Sequence, residues 1–240
     1  MWIHLGQKGL DLAFQATHLP PMVEVKICGL KDPTHIRIAA EAGVDWVGFV
    51  LYKNSPRNVL GSGAERLAPV TELVRTAQDF GVRSVVLTVN PDAALFWDIF
   101  HEVRPQAIQL HGQENHANVQ RMRQDCHAEV EVWKAVSIDT QTDLHDLNDW
   151  PADRLLLDAK PPHKSALPGG NGDAFDWYLL QDATLLQPWF LAGGLTPDNV
   201  GQALTVTGAP GVDVSSGVEC APGVKDEDLI AAFVDAAKSN

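Results

Sequence analysis

Cysteine is scarce in this chain, and basic residues are outnumbered. Cys28, Cys126 and Cys220 are the only cysteines, an odd number without metal-ligand spacing. Neither a disulfide framework nor a zinc site is expected, and a reducing, cytoplasmic setting is favoured. Lys and Arg total 18 against 31 Asp and Glu, for a formal net charge of -13. A field of that sign repels nucleic acid and anionic membranes, so a small anionic ligand would need a locally positive pocket. No apolar run approaches the ~20 residues of a membrane span. Gln7, Lys8 and Asp11 interrupt the only candidate for a targeting segment. No Gly-x-Gly-x-x-Gly fingerprint follows the first strand, which removes the usual sign of a dinucleotide site.

What is present is organised around Val23-Glu24-Val25-Lys26-Ile27-Cys28-Gly29-Leu30. The alternation of β-branched residues predicts a buried strand that stops at a glycine before the helical start Lys31-Asp32-Pro33-Thr34. Lys26 and Cys28 fall on one face of that strand. A nearby ammonium group favours the thiolate, so the spacing suits an activated cysteine, although a lone cysteine in a strand is more often a small buried hydrophobe.

The unit then recurs along the chain. Strands are expected at 46–51, 83–89, 107–110, 131–136, 154–157, 189–192 and 212–214. Helices are expected at 33–43, 64–79, 93–103, 115–123, 139–147 and 226–238, and Thr196-Pro197 supplies a further helix start. With the first strand this makes eight strand signals, each followed by a helix or helix start. Such alternation predicts α/β architecture, a single (β/α)8 TIM barrel over residues 22–240, with an open doubly wound sheet as the alternative. Residues 1–21 read as an N-terminal extension of unknown role, whose Trp2, Leu5, Leu10 and Phe14 could lie against a surface. The long irregular connection from Ala159 to Asp173 reads as a mobile lid.

In a barrel the residues just beyond each strand share one face, whatever their separation in sequence. Cys28, Arg57, His111, Asp158, Gly193-Gly194 and Ser215-Ser216-Gly217 would then converge. A Gly-Gly pair ahead of a capped helix lets backbone amides approach a phosphate, and Ser215, Ser216 and Gly217 add hydroxyls and a second close approach. The planar fork of Arg57 could hold a carboxylate. Asp158 closes the apolar run Leu155-Leu156-Leu157, so it has to be paired, hydrogen-bonded or protonated, and the last of these suits a general acid. His111 could bind ligand or serve as a hydrogen-bonded structural histidine.

Taken together and in order, Lys26-Ile27-Cys28-Gly29, Gly48-Phe49-Val50 with Ser55-Pro56-Arg57, Gln109-Leu110-His111-Gly112, Leu156-Leu157-Asp158, Ala192-Gly193-Gly194-Leu195 and Val212-Asp213-Val214-Ser215-Ser216-Gly217 resemble the phosphoribosylanthranilate isomerase family of tryptophan biosynthesis. The resemblance runs from about Val23 to the C-terminus. It implies an Amadori rearrangement of N-(5-phosphoribosyl)anthranilate to a carboxyphenylamino-deoxyribulose phosphate, without cofactor or metal. By the same resemblance Cys28 would be the general base, Asp158 the general acid, and Arg57 the anchor of the anthranilate carboxylate. Gly193, Gly194, Ser216 and Gly217 would hold the phosphate, and Asp213 would contact or orient the sugar.

Two departures stand out against the family pattern. The loop ahead of the sixth helix reads Gly169-Gly170-Asn171-Gly172-Asp173 where a Gly-Gly-Thr-Gly run with a basic residue is common, and the third strand ends Leu87-Thr88-Val89-Asn90. Competing expectations are a related aminosugar-phosphate isomerase of histidine synthesis, which typically uses two aspartates, and a degenerate barrel that binds phosphorylated metabolites without turnover. Monomer and homodimer both fit a chain of this size.

Overall fold

The structure is a computed structural model that describes residues 22–126, 129–159, 176–181 and 183–239. The expected extension at 1–21 and most of the expected lid, from Lys160 to Asp173, lie outside the described residues. Eight parallel strands close on themselves in chain order, β1 (Glu24–Cys28), β2 (Trp46–Leu51), β3 (Arg83–Thr88), β4 (Ala107–Leu110), β5 (Glu131–Ile138), β6 (Arg154–Ala159), β7 (Trp189–Leu191) and β8 (Gly211–Val214), with β8 pairing back onto β1. The barrel read from the βα alternation is therefore the fold.

Helices α1 (Pro33–Glu41), α2 (Ala68–Asp79), α3 (Ala93–Asp98), α4 (His116–Asp125), α5 (Val200–Thr207) and α6 (Glu227–Lys238) cover the outside. Their starts follow from local chemistry. The Asp32 carboxylate accepts from the amides of Thr34 and His35 with Pro33 in the first turn, and Asp226 accepts from Leu229. Alternation then sorts the strand side chains. Val25, Ile27, Ile108, Leu155 and Leu157 pack outward against helix residues such as Ile36, Val70 and Phe233, whereas Trp46, Val85, Ala107, Trp133, Leu156 and Phe190 fill the barrel.

One end of that interior is sealed. Glu24 at the start of β1 takes Arg83 and Arg154 at 2.7 Å each, Arg154 also reaches Glu131 at 2.8 Å, and the Arg83 guanidinium lies 4.0 Å from the Trp46 ring centre. This network closes the amino ends of the strands.

The structure differs from expectation in three connections. Residues 139–147 form no α-helix; they make two 3-10 turns, Gln141–Leu144 and Leu147–Asp149. The Asp143 carboxylate accepts from the amides of Asp139 and Thr140, so side-chain bonding competes with helix propagation. The helix expected over 93–103 is α only to Asp98 and continues as a π-turn from Ile99 to Val103. The helix expected at 64–79 opens with a separate 3-10 turn, Gly63–Glu65, before α2 begins at Ala68. Beyond β8 a hairpin, β9 (Glu219–Ala221) and β10 (Val224–Lys225), was not legible in the sequence.

Candidate functional site

Cys28 is the last residue of β1 and points into the barrel mouth against Val50 and Leu87, with Tyr52 and Val89 at the rim. Room for the thiol is made by Gly48 on the neighbouring strand, where a Cβ would stand 2.9 Å from Sγ. Below it, Lys26 is fully buried and its Nζ donates to Asp213 Oδ1 at 2.7 Å.

The sequence suggested that Lys26 would activate the cysteine. Here the net sign is opposite: burial pushes the Cys28 thiol up, Lys26 and Lys225 pull it down, and Asp213 pushes it up again. The ammonium charge next to the thiol is already matched by Asp213, so its pull does not overcome desolvation. Lys26 itself is held above its ordinary value, because the pairing with Asp213 and Cys28 outweighs its own burial.

Arg57 also differs from the simple expectation. Its fork is occupied by the protein's own carboxylate: Nε and Nη2 donate to Glu219 at 2.7 and 2.8 Å. Among the described residues Nη1 has no hydrogen-bond partner. Gly29, with φ of +83°, lets Arg57 lie across the end of β1; a Cβ there would meet Arg57 Cδ at 2.6 Å. Lys225 completes the cluster at 2.9 Å from Glu219 and 2.8 Å from the Ser215 carbonyl. Burial alone would raise the Glu219 carboxyl, but the Arg57 hydrogen bonds and the charge and hydrogen bond of Lys225 bring it down to about 2.

Asp158 is buried near the carboxyl end of β6, on the inward face two residues beyond Leu156. His111 Nε2 lies 3.3 Å from Asp158 Oδ2, and the other ring nitrogen, Nδ1, is 3.0 Å from the Gln109 amide nitrogen. The β4 loop carrying His111 is clamped from behind. Lys134 Nζ donates to the Gly112 carbonyl and to Glu114, both at 2.7 Å, and Glu114 accepts from the amides of Asn90 and Gly112.

Gly193 and Gly194 follow β7 with φ of +86° and +65°. Asn199 staples that loop, accepting from the Thr196 amide at 2.8 Å and donating to the Gly194 carbonyl at 2.9 Å. Ser216 and Gly217 open a 3-10 turn after β8, and Gly217 packs so closely on the Leu195 carbonyl that a Cβ would collide with it. The two loops are thereby held together, and the amides of Gly193, Gly194, Ser216 and Gly217 donate to no other described residue.

All the candidates read from the sequence thus lie at the carboxyl ends of the strands or in the loops just after them, save Asp213, which sits one layer down. Gly169 to Asp173 lie outside the described residues. Sequence reasoning missed Glu219, Lys225 and Gln109, and it missed the Glu114–Lys134 clamp. A lone lysine or glutamine within an apolar strand was the available signal, because such a group must find a partner once buried.

The arrangement offers a thiol on β1 and a carboxyl on β6, three strands apart around the barrel, a guanidinium lying over Gly29 at the end of β1, and amides in the loops after β7 and β8 that have no partner among the described residues. Residues 25–236 match the family model for N-(5'-phosphoribosyl)anthranilate isomerase. The N-(5'-phosphoribosyl)anthranilate isomerase of Paracoccus denitrificans is 48% identical over 214 residues, covering 88% of this chain and 95% of the relative. The crystal structure of the isomerase from Thermotoga maritima superimposes with a TM-score of 0.76 at 34% identity, covering 91% of this chain and all of the other. A further crystal structure of a phosphoribosylanthranilate isomerase, in complex with reduced 1-(o-carboxyphenylamino)-1-deoxyribulose 5-phosphate, gives 0.73 at 32% identity, with coverage of 91% and 100%.

Proposed function

Since this chain belongs to the phosphoribosylanthranilate isomerase family and is an isomerase of tryptophan biosynthesis, we propose that Cys28 and Asp158 are the base and acid of its Amadori rearrangement. The Asp158 hydroxyl gives its proton to the furanose ring oxygen as the C1–O bond breaks, and the nitrogen lone pair forms C1=N. The Cys28 thiolate then removes the C2 proton, and the electrons of that bond make the neutral enol-amine; this takes a proton at C1 while its C2 hydroxyl gives one up, and becomes the ketone. The scheme shifts protons without net oxidation or reduction and calls on no cofactor.

The observation that carries the assignment is that both groups occupy inward positions at the open ends of β1 and β6, three strands apart around a closed barrel. An acid and a base on opposite sides of one sugar are what ring opening and C2 deprotonation require. The raised thiol makes a stronger base that is populated less often, which suits abstraction of a weakly acidic carbon proton.

Arg57 would take the anthranilate carboxylate through Nη1, with Glu219 holding the guanidinium plane. The amides of Gly193, Gly194, Ser216 and Gly217 would take the phosphate, helped by the small positive poles that unpaired amides provide. His111 would meet the substrate beside Asp158. Asp213 Oδ1 is committed to Lys26, and Oδ2 would orient the sugar. The ligand is a phosphorylated small molecule and the reaction belongs in the cytoplasm; these two local anchors let a dianionic ligand bind a chain of negative net charge.

Purified protein mixed with freshly made phosphoribosylanthranilate is expected to quench the anthranilate-type fluorescence. Cys28→Ser and Asp158→Asn should each lose ~10²-fold or more in kcat while remaining folded. A wild-type rate in either variant would remove that residue from its role.

A further inference from the structure

Lys225 is the last residue of β10, on the hairpin that follows β8, and it is only 5% exposed although most of that hairpin faces solvent. A cationic side chain drawn inside needs partners. An ammonium group has three N–H bonds to give, and Lys225 Nζ has three acceptors: the Ser215 carbonyl at 2.8 Å, Glu219 Oε1 at 2.9 Å and Ser215 Oγ at 3.5 Å.

Those acceptors flank the turn Ser216–Val218, one residue before it and one after. The Ser215 carbonyl also accepts from the Val218 amide at 3.5 Å, and the Ser215 hydroxyl donates to the Cys28 carbonyl at 3.1 Å. Glu219 holds Arg57 through Nε and Nη2, and its Oε2 accepts from the Gly223 amide at 3.0 Å. The lysine therefore spans the turn and braces the carboxylate that carries Arg57 against the residue on which the turn is built.

We propose that Lys225 is a positioning residue that sets the separation between the Arg57 guanidinium and the amides of Ser216 and Gly217, so that both charged ends of one ligand are held at once; the inference rests on the anchor roles proposed above for those groups.

Two anionic ends joined in one molecule bind as a unit only when their anchors stand at the matching distance. The second end then meets its site at a high effective concentration, and an anchor free to drift forfeits that gain while keeping its own affinity. The Arg57–Glu219 pair orients the guanidinium. It does not by itself fix where the guanidinium stands, because the bonds of the glutamate side chain can rotate and carry the pair as a unit past the turn. Bonding to Lys225 removes that freedom. With all three N–H bonds spent inside the protein, the lysine acts on the ligand through Glu219 and Ser215 alone.

The test compares one ligand with its halves by calorimetry. The probes are reduced 1-(o-carboxyphenylamino)-1-deoxyribulose 5-phosphate, which carries both anionic ends, and anthranilate and ribose 5-phosphate, which carry one each. In Lys225→Met the two-ended analogue should bind about tenfold more weakly or worse, while each half changes by less than about threefold, since the effective concentration falls and the anchors remain. Glu219 keeps Arg57 as counter-ion in this variant, so no carboxylate is stranded. Lys225→Gln, which retains a donor, serves should the methionine variant fail to fold. Equal losses for the analogue and its halves, an analogue affinity within about threefold of wild type, or loss of the fold in both variants would make Lys225 a structural residue and overturn the proposal. Arg57→Met separates this from the underlying reading, because it should weaken anthranilate and the analogue and spare ribose 5-phosphate. If anthranilate binding survives Arg57→Met, the anchor role itself is refuted; if that control holds and the lysine comparison fails, only the positioning role falls.

Discussion

Arg57 and Glu219, 162 residues apart, form a two-bonded ion pair at 2.7 and 2.8 Å in the mouth of the barrel. The pair fixes the plane of a guanidinium that would otherwise swing with a long side chain, and it uses Nε and Nη2 while Nη1 has no hydrogen-bond partner among the described residues. Specific anchoring by arginine depends on that kind of prior orientation.

Removing the carboxylate should therefore cost both stability and binding. Glu219→Gln leaves the buried Arg57 and Lys225 charges without their counter-ion, which we expect to destabilise the fold by about 3 kcal/mol. KM for the substrate should rise more than kcat falls. The pH dependence has a definite sign. Glu219 is depressed from 4.5 to about 2, so its contribution is present above its unfolded value and is lost as the pH falls from about 4.5 toward 2. Urea unfolding at a series of pH values should show a slope in that window for the wild type and a shallower one for Glu219→Gln.

A second prediction concerns the buried pair under the thiol. Lys26→Met strands the Asp213 carboxylate in a site only 8% exposed, and breaking a buried pair from one side costs about 3–5 kcal/mol. The double change Lys26→Met with Asp213→Leu should recover much of that stability. It should not recover activity, because both the Lys26 charge beside Cys28 and the Asp213 carboxylate proposed to orient the sugar are gone. Denaturation midpoints and initial rates on the four proteins of this cycle separate the two effects.

Gly48 gives a third. Alanine there would place a methyl group 2.9 Å from Cys28 Sγ and 3.1 Å from Cys28 Cα, so the sulfur has to move by a few tenths of an ångström. We expect kcat to fall by at least ~10-fold, since misplacement of a reacting group is costly, with a small change in melting temperature. A Gly48→Ala enzyme with unaltered kcat would mean that the thiol position does not limit the reaction.

The barrel was legible because its signals are local and repeated: apolar strands, capped helices and a glycine or polar turn between them. Cys28, Asp158 and the Gly193-Gly194 pair were legible because position at a strand end follows from the fold. The Arg57–Glu219–Lys225 cluster was not, since the hairpin that carries the last two is short and polar and its partner lies on another strand's loop. The sign at Cys28 was misread for a related reason. Strand alternation brings Lys26 near the thiol, but only the closure of β8 on β1 shows that Asp213 has already taken up that charge. The 139–147 segment failed as a helix because the Asp143 carboxylate takes the amides of Asp139 and Thr140, a local arrangement that competes with helix propagation.

The three thiols provide the last prediction, because burial and local charge order them without reference to turnover. Cys220 is exposed on β9, whereas Cys28 and Cys126 are buried. Burial pushes Cys126 up to about 12, and Asp125, Asp153 and Glu129 around it add to the rise. The thiolate is the reacting species. In native protein a disulfide reagent such as DTNB should therefore release one equivalent quickly, from Cys220, and Cys220→Ser should abolish that phase. Cys28 should follow slowly, faster as the pH is raised through and above the ordinary thiol range, and a bound product analogue should block it. Cys126 should react only on unfolding. Fast labelling of Cys126, or a Cys28 rate that is flat with pH, would contradict the electrostatic order read from the structure.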